Sequence, residues 1–422
     1  MNIPQRVNRF RLLMLAVGLL AAIQTTQSAF AEETDKRIEE EKRGKLAHTE
    51  ESIAKNNQKL AWDFGGWINF LYLDYNEDDK NRLLSDLTDY ATYLDLRLWF
   101  KATLDVSADA LTRRRHSLYV RVKDLHVNRT PKATAGGSDH EGPHLDYAYA
   151  QLDFDPAWVK IGRQYFTVGQ GIAVGDVGDG AQVQYSFPRW NIKTFFNHNI
   201  PQQENIDLSV PGYDKRSDRY FLGIECSFTE LESHNLYSFA VAQKDYSNER
   251  PDDPAHQFSY DSEYYGVGAR GSFPNKISYW LEGMREEGKS FIYESGEEAK
   301  VSAWAGALAL AFEPTIATHP MFFFKYAYGS GDGDRISVTD TLNGNRSGKD
   351  RNFLYFGYVP TGYALAPRLS NLYFYKTGFT AKPLESVEAL KNLSIGIDYY
   401  RYYKAKRDGG IYDIEATEGN AD

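Results

Sequence analysis

The chain has 422 residues, 42% hydrophobic and 14% aromatic, a formal net charge of -10 and a single cysteine, Cys226. The aromatic content argues against disorder, one cysteine excludes an intramolecular disulfide and a Cys-rich metal knuckle, and no basic patch offers the footprint of a nucleic-acid binder. Beyond the first two dozen residues no uncharged apolar run approaches the roughly 20 residues of a membrane-spanning helix, so the chain is either soluble or a membrane β-barrel.

Arg6, Arg9 and Arg11 precede an apolar run from Leu12 to Ile23, and Ala29-Phe30-Ala31 gives a small-x-small cleavage site ahead of Glu32. These are the three regions of a Sec-type signal peptide over residues 1–31, and they send the mature chain out of the cytoplasm. No cysteine follows the site, so a lipoprotein anchor is excluded. Residues 32–60 turn to Glu, Lys and Arg, with Ile38, Leu46, Ile53 and Leu60 seven or eight apart. A seam one residue wide suits a solvated, charged periplasmic helical arm better than a plug or a self-associating helix.

Past Leu60 the hydrophobic period becomes two. Leu94, Leu96, Leu98 and Phe100 alternate with Asp95, Arg97 and Lys101; Leu118, Val120 and Val122 with Tyr119, Arg121 and Lys123; Tyr220, Leu222, Ile224 and Phe228 with Arg219, Glu225 and Ser227; Leu393, Ile395 and Ile397 with Ser394 and Asp398. Each such segment is a strand with one apolar and one polar face. Alternation alone leaves open whether the apolar face packs inside a sandwich or faces lipid around a wet lumen.

The links decide. Tight ones at Asp155-Pro156-Ala157, Pro188-Arg189 and Pro274-Asn275, and moderately short ones near 106–113, 229–233, 313–320 and 383–390, interleave with long polar ones at 76–87, 127–143, 166–180, 199–217, 245–257, 287–299 and 330–368. Short and long in strict alternation is the pattern of an all-β, antiparallel up-and-down transmembrane barrel, with turns in the periplasm and loops outside. The segments amount to about fifteen strands of roughly nine to eleven residues, the length a tilted strand needs. Residues 404–422 read as an external loop, and Asp422 is not the aromatic residue on which such barrels finish. A closing strand beyond this sequence is therefore expected, for about sixteen strands, or eighteen if Phe353–Val359 also spans with a neighbour. Trp62, Trp67, Tyr72, Trp158, Trp190, Tyr279, Phe322-Phe323-Phe324, Tyr373 and Tyr375 fall near strand ends or on the lipid parity, as interfacial girdles require.

Val159-Lys160-Ile161-Gly162-Arg163-Gln164, followed by Gly169-Gln170-Gly171 and Asp179-Gly180-Ala181, resembles the Gly-Arg-Gln and Asp-Gly signature of the alginate export family of outer-membrane porins. Tyr326-Ala327-Tyr328-Gly329-Ser330-Gly331-Asp332 and Leu369-Ser370-Asn371-Leu372 resemble two further signatures of that family, in the same order. The resemblance runs from Trp62 to Tyr403, with Gly162, Gln164, Asp179, Gly180, Ser330, Gly331, Asp332 and Asn371 as its motif residues. It implies a monomeric barrel in the bacterial outer membrane that passes an anionic polysaccharide through an arginine-rich constriction.

The polar parity gives an independent reading of the lumen. Arg97, Lys101, Arg121, Lys123, Lys160, Lys193, Arg219, Arg270, Lys325 and Lys376 point inward against Asp95, Glu225, Glu282 and Asp398, a cationic surplus in an acidic chain. Rings of Arg and Lys lower the barrier to anions, and guanidinium forks suit carboxylates. Tyr119, Tyr147, Tyr149 and Tyr400 share that parity and offer stacking faces to sugar rings. The competing reading is a rigid salt-bridge network that passes only small ions. Strict alternation places Arg163 toward lipid, at a cost of about 2 to 4 kcal/mol at midplane; Gly162 before it suggests a bulge that turns it inward.

The acidic glycine turns at 175–180 and 331–334 lack the spacing of an EF-hand loop and read as external turns rather than calcium sites. No GxSxG elbow or HExxH motif occurs, and His116, His126, His140 and His144 have no carboxylate at a diagnostic spacing. No cofactor and no enzymatic activity are expected. The function read from the sequence is passage of an anionic solute, an acidic polysaccharide such as alginate, with outer-membrane lipid and periplasmic export proteins as partners; a general anion porin is the alternative. A barrel hydrolase would need a Ser-His pair on the outer half of the wall.

Overall fold

The computed structural model describes residues 60–74, 90–105, 114–130, 137–201, 217–229, 233–247, 259–292, 295–335, 338, 345–362 and 367–411. The expected signal peptide and nearly all of the arm lie outside the described residues. Fifteen strands follow one another: β1 (Leu60–Asp74), β2 (Tyr90–Asp105), β3 (Arg115–Thr130), β4 (Gly137–Asp153), β5 (Ala157–Thr167), β6 (Gly175–Ser186), β7 (Trp190–Asn199), β8 (Arg219–Phe228), β9 (His234–Asp245), β10 (Asp261–Phe273), β11 (Ile277–Phe291), β12 (Glu298–Phe312), β13 (Met321–Gly329), β14 (Leu372–Ala381) and β15 (Ile395–Lys404). They form a single sheet in chain order. Every neighbouring pair is antiparallel, and no pairing joins β1 to β15 among the described residues. No helix occurs among the described residues.

The two-residue period now has a direction. Phe64, Ile68, Leu98, Leu222 and Val267 are exposed, Phe64 at 79%, whereas their neighbours on the other parity are buried or half-buried; Ile397 is exposed at 72% beside half-buried Asp398. The apolar parity therefore faces outward, as in a barrel wetted by lipid and opposite to a sandwich. Trp67, Trp158 and Phe323 depart from the expected girdle, because they stand on the inward parity, where cationic side chains lie over their rings. Alternation with Phe64 and Ile68 puts Trp67 inside; its aromatic character alone did not.

The buried core is also inside. It consists of Phe166 at the end of β5, Val168, Ile172, Ala173 and Val174 from the β5–β6 link and Phe353, Leu354, Tyr355, Val359 and Leu369 from the β13–β14 link, against the inner faces of β7–β14. The inward parity of β12 is Ala299, Val301, Ala303, Ala305, Ala307, Ala309 and Ala311, and Ala303 is fully buried. Small side chains along one strand leave room for a second layer of polypeptide within the lumen.

Three expectations change here. Phe353–Val359 is not a membrane strand; its segment runs inside the wall, with Val174 and Phe356 bridged in parallel. Phe166–Gly180 is not one long loop, because β5 continues to Thr167 and β6 starts at Gly175, leaving 168–174 as the link. The acidic glycine stretch 175–180 is thus sheet rather than an external turn, since glycine, though weak in strands, pairs where its neighbours approach closely: a Cβ on Gly180 would lie 2.1 Å from the Phe196 carbonyl oxygen.

Candidate functional site

Beside the inserted links, the inner wall of β1–β5 carries a different chemistry. The Arg121 guanidinium is 3% exposed, with its Nε donating to Asp146 Oδ2 at 2.5 Å and its plane 4.0 Å from the Tyr147 ring and 5.3 Å from Trp67. Arg97 bonds both Asp95 oxygens at 3.0 and 2.9 Å, reaches Asp146 at 3.4 Å and also lies over Trp67. Asp146 gets there by irregular pairing. Arg121 pairs with Tyr147 and Val122 with Leu145, which leaves Asp146 as the extra residue of a β-bulge, a device that re-aims a side chain.

Next to this cluster Trp99, Tyr119 and Tyr149 form a stacked row, at 6.2 Å and 5.3 Å between successive rings. Lys160 Nζ stands 4.5 Å over Tyr149, within the range of a cation–π contact. Gly65 makes the row possible, since a Cβ there would meet the Trp99 ring at 2.7 Å. Lys101 stands opposite Asp63 in the β1–β2 register, and Lys123 opposite Arg97 in β2–β3. Five of the sequence-selected cations are thus gathered on one wall with aromatic faces between them.

The remaining inward cations are spread around the other strands. Lys193 pairs with Glu225 at 3.2 Å and Lys376 with Asp398 at 3.0 Å, Lys376 lying over Phe323 and Tyr400 as well. Lys325 is largely buried over Trp280. Arg219 is 1% exposed, bonded to Asp245 at 3.2 Å and Ser217 at 3.1 Å, with its guanidinium over Phe356 of the inserted segment. Its position is that of a structural cation beneath the insertion. Arg270 is exposed.

Arg163 differs from the expectation. Pairing through β4–β5–β6 runs without a register shift, so the side chain stays on the outward parity with exposed Ile161. It is neutralised there by Asp179 directly opposite, with Nε to Oδ1 at 2.8 Å and Nη2 to Oδ2 at 2.7 Å, and it donates to the Leu145 carbonyl at 2.9 Å. Gly162, at φ 121°, instead permits a close approach: a Cβ would sit 2.2 Å from the Ala148 oxygen.

The other motif residues hold the insertions. Gln164 is fully buried, donates to the Lys160 carbonyl at 3.0 Å and accepts from Gln182 at 2.6 Å. At the tip of the first insertion the Gly169 and Gln170 amides donate to Glu225 and Glu282 at 2.9 and 2.8 Å. The second insertion is tied at its base: Ser330 Oγ donates to the Arg351 carbonyl, Ser370 Oγ to the Phe353 carbonyl, and the Asn371 side chain bonds the backbone of Lys406 and Gly410. Asn371 has φ 52°, and Gly331 is pressed against it. Asp332 accepts the Arg351 amide at 2.9 Å; burial raises its carboxyl above the ordinary value while that bond opposes the shift. Deeper in, Glu286 accepts the Leu354 amide at 2.9 Å and the Tyr260 hydroxyl at 2.5 Å, and Arg335 pairs with Asp350 in full burial.

Sequence reasoning missed Asp146, Glu286, Arg335 and Asp350. Asp146 carried a usable signal, a charge on the lipid parity just before the inward pair Tyr147 and Tyr149. Among the described residues no group of three or more His, Cys, Asp or Glu is placed to hold a metal ion.

Residues 72–422 match the family model for alginate export. No curated protein matches the chain. Among solved structures the chain is similar to Pseudomonas aeruginosa OccK5, at 9% identity over 84% of each chain with a TM-score of 0.45. It is also similar to a mutant of Rh. blastica porin, at 11% identity over 82% of this chain and 96% of that one with a TM-score of 0.39. The outer membrane protein OmpT of Vibrio cholerae, in a trimer form, matches at 10% identity over 82% of this chain and 100% of that one, with a TM-score of 0.32. With its family model spanning most of the sequence, its sheet uncrossed and its oily side chains turned outward, the chain belongs to the alginate export family of bacterial outer-membrane β-barrel porins.

Proposed function

We propose that the protein passes an anionic solute, most simply an acidic polysaccharide such as alginate, along the β1–β5 wall of its lumen. The observation that carries this reading is the division of charge between walls. Glu225, Glu282 and Glu286 on β8 and β11 spend hydrogen-bonding capacity on the amides of the inserted segments, while Arg97, Lys101, Arg121, Lys123 and Lys160 share the opposite wall with Trp67, Trp99, Tyr119 and Tyr149. A guanidinium recognises a carboxylate through paired N–H donors, and aromatic faces suit the C–H faces of sugar rings. Polymer length fits the arrangement, because the cations lie along a row of strands rather than around one pocket.

The ion pairs Arg97–Asp95, Arg121–Asp146, Lys193–Glu225 and Lys376–Asp398 favour a second reading, a general small-solute porin with balanced charge. Planar-bilayer recording in a KCl gradient separates the two. Anion preference together with reversible block by oligouronates supports polysaccharide passage; anion preference without such block leaves the small-solute porin; cation preference rejects both anionic readings. We further propose that the chain works as a monomer, with residues 32–60 as a periplasmic arm that meets export partners.

A further inference from the structure

At the end of the barrel with the short links, a cavity of about 590 Å³ opens beneath the tip of the first insertion. Gln170 from that tip, Asn235 from β9, Arg270 and Ser272 from β10, and Trp280 from β11 line it. Thr229 and Ser233 of the short β8–β9 link share the lining, which puts the cavity at the periplasmic mouth. From this we infer a dedicated capture site for one uronate unit of the polymer, at which Arg270 takes the carboxylate. The inference rests on the reading of an anionic polysaccharide given above and adds the place and the side from which the polymer is first held.

Arg270 differs from the inward cations that are ion-paired. Arg97, Arg121, Lys193, Arg219 and Lys376 each have a carboxylate within 4 Å, whereas Arg270 makes no ion pair among the described residues and is exposed. Glu282 on the neighbouring strand is close enough for its charge and that of Arg270 to act on each other, but its Oε2 is held by the Gln170 amide at 2.8 Å and the Tyr237 hydroxyl at 2.8 Å, and its Oε1 has no hydrogen-bond partner. Among the described residues the exposed guanidinium, with its five donors, has no hydrogen-bond acceptor. Asn235 Oδ1 supplies the complementary function. It is a buried acceptor without a hydrogen-bond partner, a state that carries a cost until a donor such as a sugar hydroxyl satisfies it. Trp280 adds an indole in the same lining. A carboxylate acceptor, ring hydroxyl donors and an apolar ring face are together the chemistry of a pyranose uronate, and the volume lies in the range of small-ligand sites.

The test uses the full-length protein in a planar bilayer and a hexameric oligouronate, with neutral maltohexaose as control, added to one side at a time. Wild type is expected to be blocked more strongly by the oligouronate from the periplasmic side. Arg270→Gln is expected to weaken that block about tenfold or more, the scale of one lost charged hydrogen-bonding contact, while changing extracellular block far less. Arg270→Lys restores part of the block, and Gln170→Ala, which alters the tip of the first insertion without touching the charge, weakens it less. Unchanged periplasmic block in Arg270→Gln overturns the capture site while the anionic reading stands. Equal block by maltohexaose overturns the assignment to a uronate, and loss of anion preference in wild type removes the underlying reading itself.

Discussion

Glu286 is the deepest attachment of the second insertion. Its carboxylate is fully buried and holds three donors, the Leu354 amide at 2.9 Å and the hydroxyls of Tyr260 at 2.5 Å and Tyr264 at 3.3 Å. Replacing it by leucine keeps the volume and leaves these donors without that partner. Tyr264 retains its bond to the Leu354 carbonyl at 2.8 Å, so two donors lose their main acceptor. At about 1 to 3 kcal/mol for each orphaned buried donor, the inserted state loses roughly 2 to 6 kcal/mol, which raises the population of the released segment by at least about thirtyfold at 1.4 kcal/mol per decade. Single-channel recording of Glu286→Leu is expected to show a larger conductance and new open–closed noise, and limited proteolysis to cut within 345–362. Glu286→Gln, which keeps one carbonyl acceptor, falls between the two. Conductance and protection identical to wild type in the leucine variant would refute the claim that this carboxylate pins the segment.

Arg163→Glu is expected to leave ion selectivity untouched, because the side chain faces outward, and to lower stability by replacing the Arg163–Asp179 ion pair with two opposed carboxylates on the lipid side; urea unfolding in lipid and reversal potentials measure the two parts separately. Asp146→Ala leaves the buried Arg121 guanidinium without its main counter-ion, for a loss of about 3 to 5 kcal/mol, read as a lowered unfolding midpoint with increased anion preference in the folded fraction. Gly331→Ala puts a Cβ at 1.9 Å from Asn371 Oδ1, so the base of the second insertion must open. The expected result is faster proteolysis of 345–362 in a barrel whose heat-modifiable migration is retained, and unaltered proteolysis would show that the contact is relieved elsewhere.

The strands were legible because lipid on one side and water on the other enforce a two-residue period, and Leu94 to Lys101 or Tyr220 to Phe228 cannot satisfy both faces in any other register. The links were legible by length and misread by location. A polar, glycine-rich stretch such as 330–371 has the composition of a loop wherever it lies, and its burial is encoded in another element, the alanines of β12, which alternation reports only as small. The bulge was expected at Gly162 on the assumption that a charge avoids lipid. Instead Arg163 finds its neutraliser one strand away at Asp179, a cross-strand partner set by register rather than by local sequence. The bulge falls at Asp146, where a charge joins Arg121 and Arg97 inside. The candidate wall was visible residue by residue, but its neighbours Trp67 and Trp99 were not, because aromatic residues serve both girdle and lumen and only their parity distinguishes the two.

The alanine stripe of β12 has a geometric consequence. The described parts of the insertions pack against the inner faces of β7–β14, so the room left inside lies toward β1–β5. On the proposed function, a polymer in transit would travel eccentrically and show the same flank to the protein along its whole course. Chemical decoration on that flank, such as acetylation or epimerisation of alternate sugars, should matter far more to transit than the same change on the side turned toward the alanines.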